Sequence, residues 1–139
     1  MTPTDHAALA AEALAANTRH RDALHAASRD LSTDEDEAIL AGRPAAAADL
    51  VAARCLVELE VEEHRELCGE PTSGDELVEA LLETFLERAV AVAEVRGDDE
   101  LTTGEELAEL ALEALRRQRV QPLDGSPLRH ALDGVDLTE

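Results

Sequence analysis

Helix punctuation recurs along this chain, and it constrains the fold more than any other feature of the sequence. Thr2-Pro3-Thr4-Asp5 offers an N-cap, a proline at the first helical position and an acid three residues after the cap. Thr33-Asp34-Glu35-Asp36, Ser73-Gly74-Asp75-Glu76 and Thr103-Gly104-Glu105-Glu106 repeat the capping pattern, and Ser126-Pro127 opens a last turn. Gly42, Gly69, Gly97 and Gly134 fall where C-terminal stops belong. The segments between these marks read as helices near 3–30, 34–41, 44–68, 74–96 and 104–120, with a turn near 127–133. No stretch alternates with period two, so no strand is expected. Short connections make sequence neighbours antiparallel. The expected fold is an all-α, up-and-down bundle of about four main helices plus short segments, one domain over residues 1–139.

Charge then narrows the function classes. There are 32 Asp and Glu against 12 basic residues, a net charge of −20, and every basic residue is Arg. A nucleic-acid binder needs a basic face to neutralise phosphates, and an anionic membrane surface would repel the chain for the same reason. No apolar run is long enough for a transmembrane helix, and the N-terminus carries no basic, apolar signal. Two cysteines, Cys55 and Cys68, are too few for a disulfide framework, so reduced thiols in a cytoplasm are expected. The acidity fits either adaptation to a salty cytoplasm or a face matched to a basic partner, the latter acting as a decoy of phosphate charge.

Although 45% of the residues are apolar, Ala supplies 26 of them and Phe85 is the one aromatic. The 74–96 helix is expected at the centre of the bundle, with Leu77, Val78, Leu81, Phe85, Ala89 and Val92 on one half of its wheel. In the 104–120 helix Leu107, Leu110, Ala111, Ala114 and Leu115 face one way. There Glu113 is placed to pair with Arg117, while Arg116, Arg117 and Arg119 complement the helix C-terminus.

Candidate chemistry concentrates on the 44–68 helix. Glu60 and His64 project onto its apolar arc four residues apart, and Cys68 follows at the next turn. A buried carboxylate and imidazole on one face should pair. All three are also metal-ligand types, so a divalent metal held by Glu60 and His64, with Cys68 and His20 or His25 as further ligands, is the alternative to a purely structural pair. Cys55 projects away from that arc, among Glu58, Glu62 and Glu66. Glu62-Glu63-x-x-Glu66 and Glu105-Glu106-x-x-Glu109 resemble the first half of the metal-binding motif of the all-α nucleoside-triphosphate pyrophosphohydrolases related to MazG. That resemblance implies carboxylates holding Mg²⁺ against a triphosphate. For the second half, Glu-x-x-Asp, the nearest counterpart is Asp133-x-x-Asp136.

The first helix differs from the rest. Residues 1–30 carry a net −1, against −8 for 31–70 and −7 for 71–100. Leu9, Ala13, Ala16, His20, Ala23 and Ala27 recur at alternating spacings of four and three, a narrow seam of small side chains suited to helix pairing. The expectation is a non-enzymatic interaction or assembly module, self-associating as a dimer through this seam and needing no cofactor. A metal-dependent protein and an acidic decoy for a basic nucleic-acid-binding protein are the alternatives.

Overall fold

The computed structural model describes residues 3–137, and it is an all-α helical bundle. Five helices follow one another: α1 Pro3–Leu40, α2 Pro44–Leu67, α3 Asp75–Arg96, α4 Glu100–Arg117 and α5 Pro127–Leu132. Among the described residues there is no strand, and no helix is long and apolar enough to cross a membrane. Ion pairs and hydrogen bonds fix antiparallel neighbours. Arg21 meets Glu70 and Ser28 meets Glu58 between α1 and α2. Asp49 meets Arg88 between α2 and α3, and Arg96 meets Glu106 between α3 and α4.

Two of the expected boundaries move. The break expected at 30–34 does not occur, and the one expected before 104 is shorter. α1 runs unbroken through Thr33, and α4 starts a turn early because Asp99 caps it, accepting from the Leu101 amide at 2.7 Å. Neither Thr33 nor Thr103 is a cap. Capping residues are also compatible with helix interiors, and Leu31 and Ala38 are buried on either side of the expected first break. Gly74, with φ 99°, takes the N-cap of α3, and Ser73 is used elsewhere. Ser126 does cap α5, accepting from the Arg129 amide. The Thr2 cap lies outside the described residues.

The centre of the bundle is α2, not α3. On α2, Ala47, Ala52, Ala53, Cys55, Leu56, Val57, Leu59 and Val61 are all buried, together with Glu60, Glu62 and His64. α3 buries only Phe85, Ala89, Val92 and Ala93, and Leu77 at its start is exposed. The reason is residue size. α2 is flanked by small side chains, so α1, α3, α4 and α5 can all approach it, whereas the Glu stripe of α3 confines it to the outside. Cys55 is buried in the core, against the expectation from its wheel position, and burial raises its thiol pKa. Leu110 faces outward, Glu113 pairs with Arg116, and Arg117 reaches Asp34 instead.

Candidate functional site

α1 has 38 residues and α2 has 24, so at about 1.5 Å per residue α1 is longer by roughly 20 Å. The register between them is antiparallel, with Glu35 opposite Arg54 and Arg21 opposite Glu70 just past the end of α2. The excess length therefore lies at the N-terminus of α1. There every residue from Asp5 to Ala16 is exposed, including Leu9 and Leu14 at 52% and 66%. The expected seam is divided by this geometry. Leu9, Ala13 and Ala16 stand free on the overhang, His20 and Ala23 are half-buried where it joins the bundle, and Ala27 is fully buried in the bundle's own core. Ala27 is thus no part of an outer interface. Its burial with Leu24 and Leu31 is what anchors α1.

The root of the overhang holds the histidines. His20 of α1 stacks on His64 of α2, with ring centroids 4.5 Å apart and planes 21° from parallel. His64 also touches Cys68 one turn on, with Nε2 3.7 Å from Sγ. Burial lowers both histidine pKa values, and the neighbouring positive groups lower them further: His64 acting on His20, and Arg21 acting on His64. Both shifts favour the neutral ring. His25 is half-buried on α1.

Glu60 and His64 are both buried, as their shared arc implies, but they do not form a pair. No hydrogen bond joins them among the described residues. Glu60 turns toward the connection after α4, where its Oε2 accepts the Leu123 amide at 3.0 Å and its Oε1 is buried without a partner. Burial raises its pKa, against the opposing pull of the Ser126 hydroxyl and the Leu123 amide. Two residues on one arc of a helix wheel can still face different helices, and here they lean to opposite neighbours. Stacked rings direct their in-plane lone pairs side by side, not toward a common ion. Among the described residues no three His, Cys, Asp or Glu side chains form a group that could hold a metal ion.

The acidic motifs separate in the same way. Glu62 is committed to the loop before α3, where it accepts the Ser73 hydroxyl at 2.7 Å and the Ser73 amide at 2.9 Å. Burial pushes its pKa up, but Ser73 and Arg65 outweigh that and leave it lowered. Glu66, Glu105, Glu106 and Glu109 are exposed, with Glu106 paired to Arg96 and Glu109 near Arg116. Asp133 is the C-cap of the six-residue α5, so Asp133-x-x-Asp136 is not carried on a helix. The metal-motif resemblance does not extend to a shared site. The Glu62–Ser73 clamp was hidden in the sequence because Ser73 also fits a helix cap.

The fold and site together define a class by architecture: an acidic α-helical bundle whose first helix projects beyond its neighbours. No family model, curated protein or solved structure matches the chain.

Proposed function

We propose that the chain is a non-enzymatic helical assembly module that self-associates through the overhang of α1, its acidic bundle suiting it to a salty cytoplasm. The observation that carries this reading is the exposure of every residue from Asp5 to Ala16 on a helix that has outrun its bundle. An isolated, solvated helix of this length is marginal in water, so a partner helix along it supplies stability the overhang otherwise lacks. Ala13 and Ala16 permit close backbone approach, while Leu9 contributes apolar area. The fitting partner is a second copy. Residues 1–30 carry a net −1, so two copies of this part of α1 repel each other less than two copies of segments 31–70 or 71–100, which carry −8 and −7, and an isologous contact needs only one such face.

Full-length variants Leu9→Glu and Ala13→Glu place charge on the exposed face without touching the core, and deletion of residues 1–16 removes it. Light scattering should show a dimer for the parent and a monomer for all three, with unchanged helicity per residue. A monomeric parent at every salt concentration refutes the proposal, as does a dimer that survives Ala13→Glu and the deletion. A deletion reaching residue 30 would be uninformative, because Leu24 and Ala27 belong to the core.

A further inference from the structure

Four of the five helices end at a left-handed glycine: Gly42 after α1, Gly69 after α2, Gly97 after α3 and Gly134 after α5, with φ between 69° and 73°. α4 ends differently. Arg119, at φ 59°, occupies the equivalent place, and its amide and that of Val120 bond back to Arg116 and Leu115 as a glycine stop would. A side chain in this conformation is strained, and glycine would relieve the strain. Residues held in such a conformation against an easy alternative are candidates for a role of the side chain itself.

That side chain lines a groove of about 490 Å³ between α1 and residues 118–121, and Arg19 lines it from the α1 side. Acids outnumber basic residues 32 to 12 in this chain. Even so, neither Arg19 nor Arg119 forms an ion pair among the described residues, whereas Arg116 and Arg117 beside them each find an acid. The other polar groups of the groove are neutral: Gln118, Gln121 and His20. Gln118 is steered by its bond to Asp30 at 2.8 Å. Two arginines without an ion pair line one groove together with two side-chain amides, and no acid lines it; that set matches a carboxylate, which Arg binds in bidentate fashion. A polyphosphate would require a denser positive charge than two arginines provide inside a −20 field.

We propose that this groove is a binding site for a small carboxylate, held by Arg19 and Arg119. It needs no second chain, although Ala16, which the assembly reading places at the contact between copies, also lines it. Succinate and citrate serve as probes in calorimetric titrations of the full chain at constant ionic strength, with inorganic phosphate as a parallel arm. Saturable one-to-one binding is expected for a carboxylate probe. Arg19→Gln and Arg119→Gly should each weaken it at least tenfold, while Arg43→Gln, which removes one exposed charge outside the groove, should leave it unchanged. Arg119→Gly should also raise the urea midpoint, so its loss of binding is not a loss of fold. The proposal is overturned if neither probe saturates, if Arg43→Gln weakens binding as much, or if phosphate binds and the carboxylates do not. It is equally overturned if Arg19→Gln and Arg119→Gly convert a dimer to a monomer without any carboxylate binding, because the groove would then receive a second copy.

Discussion

His20 stacks on His64 at 4.5 Å, across the junction where α1 leaves the bundle. Two imidazoles in this arrangement tolerate each other only while neutral. Arg21 stands beside them on α1, and Glu70, its ion-pair partner beyond α2, is the acid that partly offsets it. Both histidine pKa values are lowered from 6.5, so the unfolded chain binds protons more readily than the folded one as pH falls through that value. Stability contributed by the stack is present above pH 6.5 and is lost below it. His20→Gln should flatten the decline of the urea midpoint between about pH 7 and pH 5. An unchanged slope would show that the stack does not titrate with folding.

Glu60 has the opposite sign. Its pKa is raised above 4.5 by burial, so it destabilises the fold at neutral pH, and acidification through its folded pKa relieves that cost. Glu60→Gln keeps an acceptor for the Leu123 amide and removes the charge. It should stabilise the protein at pH 7 by about 1 kcal/mol, and the gain should shrink as pH falls toward 4.5. Because Glu60 and His64 take separate partners, His64→Gln and Glu60→Gln should be additive to within about 0.5 kcal/mol. Chemical denaturation of the four proteins checks both statements.

Gly104 lies inside α4, where its absent side chain would meet the Phe85 ring at 3.7 Å, an ordinary contact. A small space of about 50 Å³ opens beside it, lined by Phe85, Leu86, Ala89 and Ala131 among others. Gly104→Ala should therefore raise stability by about 1 kcal/mol, since alanine is the better helix former and its methyl finds room. A drop in the urea midpoint would mean that the ring sits closer than this geometry.

Salt should stabilise the fold. Net charges of −8 and −7 on residues 31–70 and 71–100 place like charges on shared helix faces. Screening shortens their reach to about 3 Å at 1 M salt. The thermal midpoint should rise by several degrees, or about 1 kcal/mol, as KCl increases. A flat or falling midpoint would show that repulsion does not limit stability. Exposed ion pairs such as Arg116–Glu109 weaken under the same conditions, but each contributes little.

Helix type and most stops were legible along the chain because they depend on local chemistry. A glycine at φ 72° after Arg96 or a serine accepting the Arg129 amide involves only residues a few positions apart. Tertiary structure decided what local signals left open. Thr33 and Asp34 look like a helix start, yet burial of Leu31 and Ala38 against the bundle carries α1 straight through them. Glu60 and His64 share an arc of one helix, but which neighbour each faces depends on where α1 and the 118–126 connection pack, and that is set by side-chain volumes far apart in sequence. The overhang of α1 follows from the same cause. Its seam reads as continuous from Leu9 to Ala27, and only the length and register of α2 determine that Ala27 is core while Leu9, Ala13 and Ala16 are left in solvent.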